Sequence, residues 1–131
     1  MMDWVDHAID SFGQSVGTPG LQLDDQGCLS FLMEGERQLT MIDLARSGGD
    51  EVLVMVQAPL PQPQNMAVRA ALQCADFRVS LGDAPQVALD NDQLVATLRI
   101  ARSSFLHSTL EEAVHALFRF HERVARAGSM P

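Results

Sequence analysis

The sequence is poor in cysteine, in basic residues and in long apolar runs, and each shortage removes a class of protein. Its only two cysteines, Cys28 and Cys74, lie far apart and form no CxxC pair. We expect them to be small, buried, unpaired thiols in a reducing compartment. No apolar run approaches the roughly 20 residues that cross a bilayer. Residues 1–7 are acidic where a signal peptide would be basic and apolar, which predicts a cytoplasmic protein.

Positive charge is scarce as well: lysine is absent, and the formal net charge is −8. Residues 1–98 hold fourteen acidic residues against four arginines, whereas residues 99–131 hold three against five. Such a charge keeps a protein soluble, and it also repels phosphate backbones and anionic lipids. We therefore expect neither nucleic acid nor membrane among the partners.

The length of 131 residues, with 47% apolar residues, fits one globular domain spanning residues 1–131. Apolar periodicity and turn residues predict an α+β fold in which a curved, mainly antiparallel sheet is flanked by helices. The expected order is a helix over 3–16, strands at 21–23, 28–33, 37–44 and 52–56, a helix over 65–76, strands at 86–90 and 93–101, and a last helix opened by a capping box at residues 108–111.

Two of these elements stand out by composition. The strand at 52–56 is apolar on both faces, as expected for a strand covered on both sides. The helix over 65–76 is apolar nearly all round and rich in alanine, which permits close approach of a second helix. We expect this second helix to form a dimer interface through Val68, Ala71, Leu72 and Ala75; the alternative is burial within one chain.

A search for catalytic, metal and cofactor motifs finds none. The sequence has no glycine-rich phosphate loop, and Ala125 stands where a zinc-protease helix beginning at His121 would need its second histidine. Asp24 opens a turn that lacks the later ligands of a calcium loop. Neither cysteine has an identifiable base beside it. We predict a protein that is not an enzyme and has no cofactor, with His121 as a hydrogen-bonded core histidine.

The order of elements, the length and the acidity resemble the class I type III secretion chaperones, the family of the Tir and Yop effector chaperones. The resemblance runs from about Ala8 to Val124. It is carried by residues 9–12 and 16–17, by the predicted first hairpin at 21–31, by the small-residue helix at 70–75 and by the late strand at 94–100. Residues 4–19 are most similar to the branch that serves the secretion gatekeeper protein. The stretch at 59–63 is richer in proline than the corresponding stretch of the family.

The resemblance implies a cytoplasmic dimer from a Gram-negative bacterium. Such a chaperone binds the unfolded N-terminal region of a secreted effector or gatekeeper protein and keeps it competent for secretion. The partner chain would dock on apolar patches and add a strand to a sheet edge. For contact with that client we select apolar residues of the first helix and the early strands: Trp4, Leu21, Leu23, Phe31 and Met33.

Other functions stay open at this point. Within the same class, the chain could be one half of a heterodimeric chaperone, or a regulatory subunit that sequesters an anti-activator. A small ligand-binding α+β domain or enzyme would need a concave cavity with convergent polar groups. The faces of the predicted strands are almost wholly apolar, which disfavours a ligand-binding domain or an enzyme.

Overall fold

The computed structural model describes residues 3–75 and 85–129, which form three helices and a five-stranded sheet. The predicted α+β order is confirmed over these residues. The elements are α1 (Trp4–Ser15), β1 (Cys28–Met33), β2 (Arg37–Asp43), β3 (Glu51–Pro59), α2 (Gln64–Cys74), β4 (Gln86–Asp90), β5 (Gln93–Ala101) and α3 (His107–Ser129).

The sheet is antiparallel throughout, with the strand order β1-β2-β3-β5-β4. The first three strands form the predicted meander. β3 ends at Pro59, where prolines begin to remove backbone donors. The return through α2 places β5 beside β3 and leaves β1 and β4 at the two edges. Within the described residues, the outer backbone edges of β1 and β4 are therefore unpaired.

All three helices lie on one face of the sheet, which we call the inner face. Along β3, Val52, Val54 and Val56 are fully buried on this face, whereas Leu53 and Met55 on the outer face are only half-buried. The prediction that this strand is covered on both sides is wrong. α2 and α3 pack against each other over the same side, and α1 packs against α3. No described element packs on the outer face.

The predicted strand at Leu21–Leu23 does not form. Residues 21–24 have no regular structure, because Leu21 packs against the end of α1 beside Gly13 and is buried there. The turn into this segment is held by the Thr18 amide, which donates to the Gly13 carbonyl at 2.8 Å. In this segment, the alternation of Leu21 and Leu23 with polar residues thus reflects packing on a helix and not a strand.

The last helix begins at His107, ahead of the predicted cap, so the proposed capping box at Ser108 is wrong. The Thr109 hydroxyl oxygen accepts from the Leu106 amide at 2.7 Å and donates toward the Ser104 carbonyl at 2.8 Å. Thr109, inside the first turn, therefore supplies hydrogen-bond partners for backbone groups of the residues that precede the helix. Its position favours the start at His107.

We predict that Gly13→Ala destabilises the fold, although alanine favours a helix by about 1 kcal/mol over glycine. A Cβ atom at this position would lie 2.6 Å from the Thr18 carbonyl oxygen and 2.9 Å from the Leu21 side chain. Overpacking of this kind costs about 1–3 kcal/mol. Urea unfolding measures the change. Ser11→Ala, on the exposed side of α1, is the control and should be neutral or slightly stabilising. Equal stabilisation by both substitutions would contradict the packing.

Candidate partner-binding surfaces

Several large apolar side chains remain exposed although the core is closed. Relative exposure is 76% for Leu32, 60% for Leu72, 56% for Leu106, 53% for Leu89 and 49% for Trp4. The buried apolar residues of the core are at most 8% exposed. Because folding has buried the core without using these five side chains, they are available to another chain.

One group surrounds an apolar groove between α2 and β4, which we call the α2–β4 groove. Its volume is about 270 Å³, and its lining includes Val68, Ala71, Leu72, Val87 and Leu89. Leu72 and Leu89 are exposed at its rim, and the groove borders the unpaired edge of β4. The surface is therefore apolar and lies beside backbone groups that no described strand pairs with.

The residues selected for a dimer interface fall partly on this groove. Val68 and Leu72 line it with accessible surface, whereas Ala71 lines it but is only 2% exposed. Ala75 is half-buried and packs against the core. Sequence reasoning missed Val87 and Leu89, although their alternation in an edge strand was a usable signal.

A second group lies at the opposite end of the sheet, on the inner face of β1. Leu29, Phe31 and Met33 alternate along this strand and are only half-buried against the core. Phe31 stands opposite Leu39 in the β1–β2 register. These three residues and the unpaired backbone of β1 form what we call the β1 surface.

Of the residues selected for client contact, Phe31 and Met33 lie on the β1 surface. Leu23 is half-buried against the core just before β1. Leu21 is 8% exposed, so it has little surface left for a partner. Trp4 is exposed at the start of α1. The structure thus brings Phe31 and Met33 together on one strand and leaves Leu21 inside the core.

Arg102 holds Trp4 in place from the segment after β5. The Trp4 indole N–H donates to the Arg102 carbonyl at 2.7 Å, and the guanidinium carbon lies 4.8 Å from the centre of the indole ring. A cation over an aromatic face is an attractive arrangement. One side of the ring is therefore engaged within the chain, while about half of the side chain stays accessible.

The same guanidinium joins α1 to the end of β2. Its Nη2 atom donates to the Asp3 carboxylate at 2.7 Å, and its Nε atom donates to Asp43 at 2.9 Å. Asp3 also caps α1 by a reciprocal capping box with Asp6, a feature the sequence analysis missed. The hydrogen bond that Arg102 donates to Asp43 raises the pKa of Arg102 above its ordinary value, although burial opposes this, and Asp3 adds to the rise.

The pKa of Asp3 responds to the same contacts. Partial burial favours its neutral form, but the Asp6 amide and Arg102 both donate to the carboxylate and outweigh burial, so this pKa is lowered. A lowered carboxylate pKa stabilises the fold above the pKa of about 3.8 that an unperturbed carboxyl has, and this stabilisation is lost as pH falls below it. The link between α1 and the sheet is thus intact at neutral pH.

A large cleft runs along the exposed side of α3 and carries no candidate site. It measures about 890 Å³ and is lined by polar and charged residues such as His107, Glu111, His115 and Arg119. Within residues 3–75 and 85–129, no three histidine, cysteine or acidic side chains are placed to hold a metal ion. Cys28 and Cys74 form no disulfide within the described part of the chain, and both are half-buried.

His121 is a hydrogen-bonded core histidine, as predicted. It is 6% exposed, and its Nε2 atom lies 2.8 Å from the Val56 carbonyl oxygen. A carbonyl can only accept, so Nε2 carries the proton. None of the described helices is both long enough and apolar enough to cross a membrane.

We predict that Arg102→Met destabilises the fold by about 3 kcal/mol, because it leaves the buried Asp43 carboxylate without its cation. Thermal unfolding measures the loss. Arg99→Met is the control: Arg99 pairs with Glu51 at 3.3 Å on an exposed site, where an ion pair contributes about 0–1 kcal/mol. Equal losses for the two variants would contradict a structural role for the Arg102 cluster.

No protein-family model and no curated protein matches the sequence. Solved structures do match. The crystal structure of the ExsC-ExsE complex aligns with a TM-score of 0.74 at 16% identity, over 93% of this chain and 91% of that chain.

Two further structures align over nearly the whole chain. One is the HopA1-SchA chaperone–effector complex, with a TM-score of 0.69 at 21% identity, over 97% of this chain and 100% of that chain. The other is the Yersinia pestis type III secretion chaperone SycH with a fragment of YscM2, with a TM-score of 0.68 at 11% identity, over 94% and 98%. The protein has the fold of the class I type III secretion chaperones.

Proposed function

We propose that this chain is a cytoplasmic, non-enzymatic type III secretion chaperone. It binds the unfolded N-terminal region of a secreted effector or gatekeeper protein and keeps that region competent for secretion. The observation that carries the proposal is a closed core that still leaves apolar side chains exposed at both ends of an open sheet. The fold supports it, because solved neighbours with this fold are chaperones in complex with a partner.

The β1 surface is the proposed client site. An extended client segment can pair with the free backbone edge of β1 and place alternate side chains beside Phe31 and Met33. Trp4 and Leu23 are the other selected residues with accessible apolar surface, and we include them in the proposed client contact. The client bears the entropic cost of ordering, so tight binding needs a large contact area. Leu21 is left out of the proposed site because it is buried.

The α2–β4 groove is the proposed interface with a second copy. Val68, Leu72, Val87 and Leu89 form one apolar surface that crosses from the helix to the edge strand. Burial of a leucine side chain contributes about 1.5–3 kcal/mol when it is complete. In a two-fold dimer each such contact occurs twice, which favours a self-complementary apolar surface of this kind.

We predict that the wild-type protein is a dimer of twice the chain mass by light scattering and that Leu72→Asp yields monomers or aggregates. A carboxylate in the groove would have to be desolvated without a partner. Gln73→Asp adds the same charge at the adjacent exposed position and should remain dimeric. A wild-type monomer would contradict the homodimer, as would a Leu72→Asp variant that elutes as the wild type does.

We also predict that the purified protein, returned to an extract of its source organism, retains a secreted protein through that protein's N-terminal segment. Limited proteolysis of the complex should leave this segment protected. Met33→Asp should weaken retention at least tenfold, because it charges the β1 surface. The control Leu106→Asp changes an equally apolar, exposed leucine outside the sheet and should retain the client. Protection of a folded domain, or equal weakening by both variants, would contradict the proposed site.

A further inference from the structure

A small cleft lies beside the β1 surface and belongs to neither of the two apolar sites. It measures about 240 Å³ and lies between the end of β3, the residues that join β1 to β2, and the second half of α3. Its apolar lining includes Ala58, Pro61 and Val124, and its polar lining includes Arg37 and His121. The cleft therefore combines an apolar wall with two hydrogen-bonding side chains of different character.

His121 supplies an acceptor. Its Nε2–H is used by the Val56 carbonyl, which leaves Nδ1 as the ring nitrogen with a lone pair. No described residue hydrogen-bonds to Nδ1. Burial lowers the pKa of His121, the Val56 hydrogen bond opposes this, and the charge of Arg37 lowers it further. The ring is thus neutral at neutral pH, and Nδ1 can accept a hydrogen bond.

Arg37 supplies donors. Its guanidinium lies 5.0 Å from the centre of the Phe118 ring, and its Nη1 atom lies 3.9 Å from a carboxylate oxygen of Glu122. The second distance is too long for a hydrogen bond. The Arg37 side chain is only 20% exposed and lies close to the helix, and no described residue accepts a hydrogen bond from its N–H groups.

We propose that this cleft binds an amide group, with the amide oxygen accepting from Arg37 and the amide N–H donating to Nδ1 of His121. A carboxylate would satisfy Arg37 but would place an acceptor against the acceptor Nδ1. An ammonium group would satisfy Nδ1 but would be repelled by Arg37. A polypeptide offers the required pair in every backbone peptide group and in asparagine and glutamine side chains.

The position of the cleft indicates which polypeptide. Met33 of the β1 surface stands opposite Arg37 in the strand register, and Gly35 and Glu36 continue from β1 into the wall of the cleft. The cleft therefore lies beyond the Met33 end of β1, and a client segment that continues past Met33 has to cross the β1–β2 turn to reach it. The identification of the client as the source of the amide rests on the proposed function. The proposal that the cleft binds an amide does not.

The charged groups at the cleft are few. Arg37 and Glu36 belong to the β1–β2 side, and Glu122 lies on α3; the described lining from β3, β5 and the proline-rich segment is uncharged. Protonation of His121 would turn Nδ1 from an acceptor into a donor. Amide binding should then weaken about tenfold for each pH unit below the pKa of His121.

The test uses the whole protein with isotope-labelled histidine and N-methylacetamide as the probe, followed by the nitrogen resonances of the four histidines. We expect a saturable shift of Nδ1 of His121 in the millimolar range, lost in acid and lost in Arg37→Met. His7, His107 and His115 serve as internal controls and should not move. The absence of a saturable shift would overturn the proposal. A response to acetate in place of the amide would also overturn it, since that marks an anion site.

A second measurement separates this proposal from the proposed function. Arg37→Met should weaken binding of the retained client segment at least fivefold, while Arg119→Met, on the exposed side of α3, should not. Amide binding in a protein that retains no client would support the site and contradict the chaperone function. A client bound equally well by wild type and Arg37→Met, with no amide response, would overturn the site and leave the function standing.

Discussion

The coverage of the sheet on one face alone is the constraint on which the rest of the structure depends. Three helices share the inner face, and they bury the apolar residues that β2 and β3 place there while leaving the inner faces of β1 and β4 incompletely covered. An antiparallel sheet tolerates one solvated face, but its unpaired edges invite pairing with another chain. Val54 at the centre is fully buried, whereas Leu89 at one edge is 53% exposed.

The two ends of the sheet can serve different partners because β2, β3 and β5 separate them. The α2–β4 groove is wholly apolar in its described lining, which suits a permanent contact between identical chains. The β1 surface offers apolar side chains and lies beside a polar cleft at Arg37 and His121, an arrangement that suits an extended polypeptide with backbone groups to satisfy. Binding of a client at β1 therefore leaves the groove free for the second copy.

Local anchoring supports this division. Arg102 ties the first turn of α1 to the end of β2 through Asp3 and Asp43, and it orients Trp4 at the same time. A surface ion pair would contribute little, but Asp43 is 6% exposed, so its pairing matters more. The fold thus holds its first helix by one partly buried cation in addition to apolar packing.

Much of the fold was predictable from periodicity, because the 3.6-residue pattern is strong in α1 and the two-residue pattern is strong in β5. The same reasoning failed at Leu21 and Leu23, where alternation reflects packing on a helix, and at β3, where an apolar outer face did not mean a covered one. His121 was predictable as a core residue, since it lies on the apolar side of its helix.

The site was less predictable than the fold. The contacts of Arg102 with Asp3 and Asp43 join residues 99 and 59 positions apart, and only the folded chain brings them together. Leu72 was identified because its helix is apolar nearly all round, but Val87 and Leu89 complete the groove from a distant strand. The cleft at Arg37 and His121 likewise depends on four separate elements, β2, β3, β5 and α3.

Hydrogen exchange of the purified protein, with and without the retained client segment, tests the central claim most directly. The account predicts that the client slows exchange of the β1 amides, while α2 and β4 are already protected in the free dimer and change little. Client-induced protection confined to α2 and β4, with no change in β1, would contradict the separation of the two surfaces.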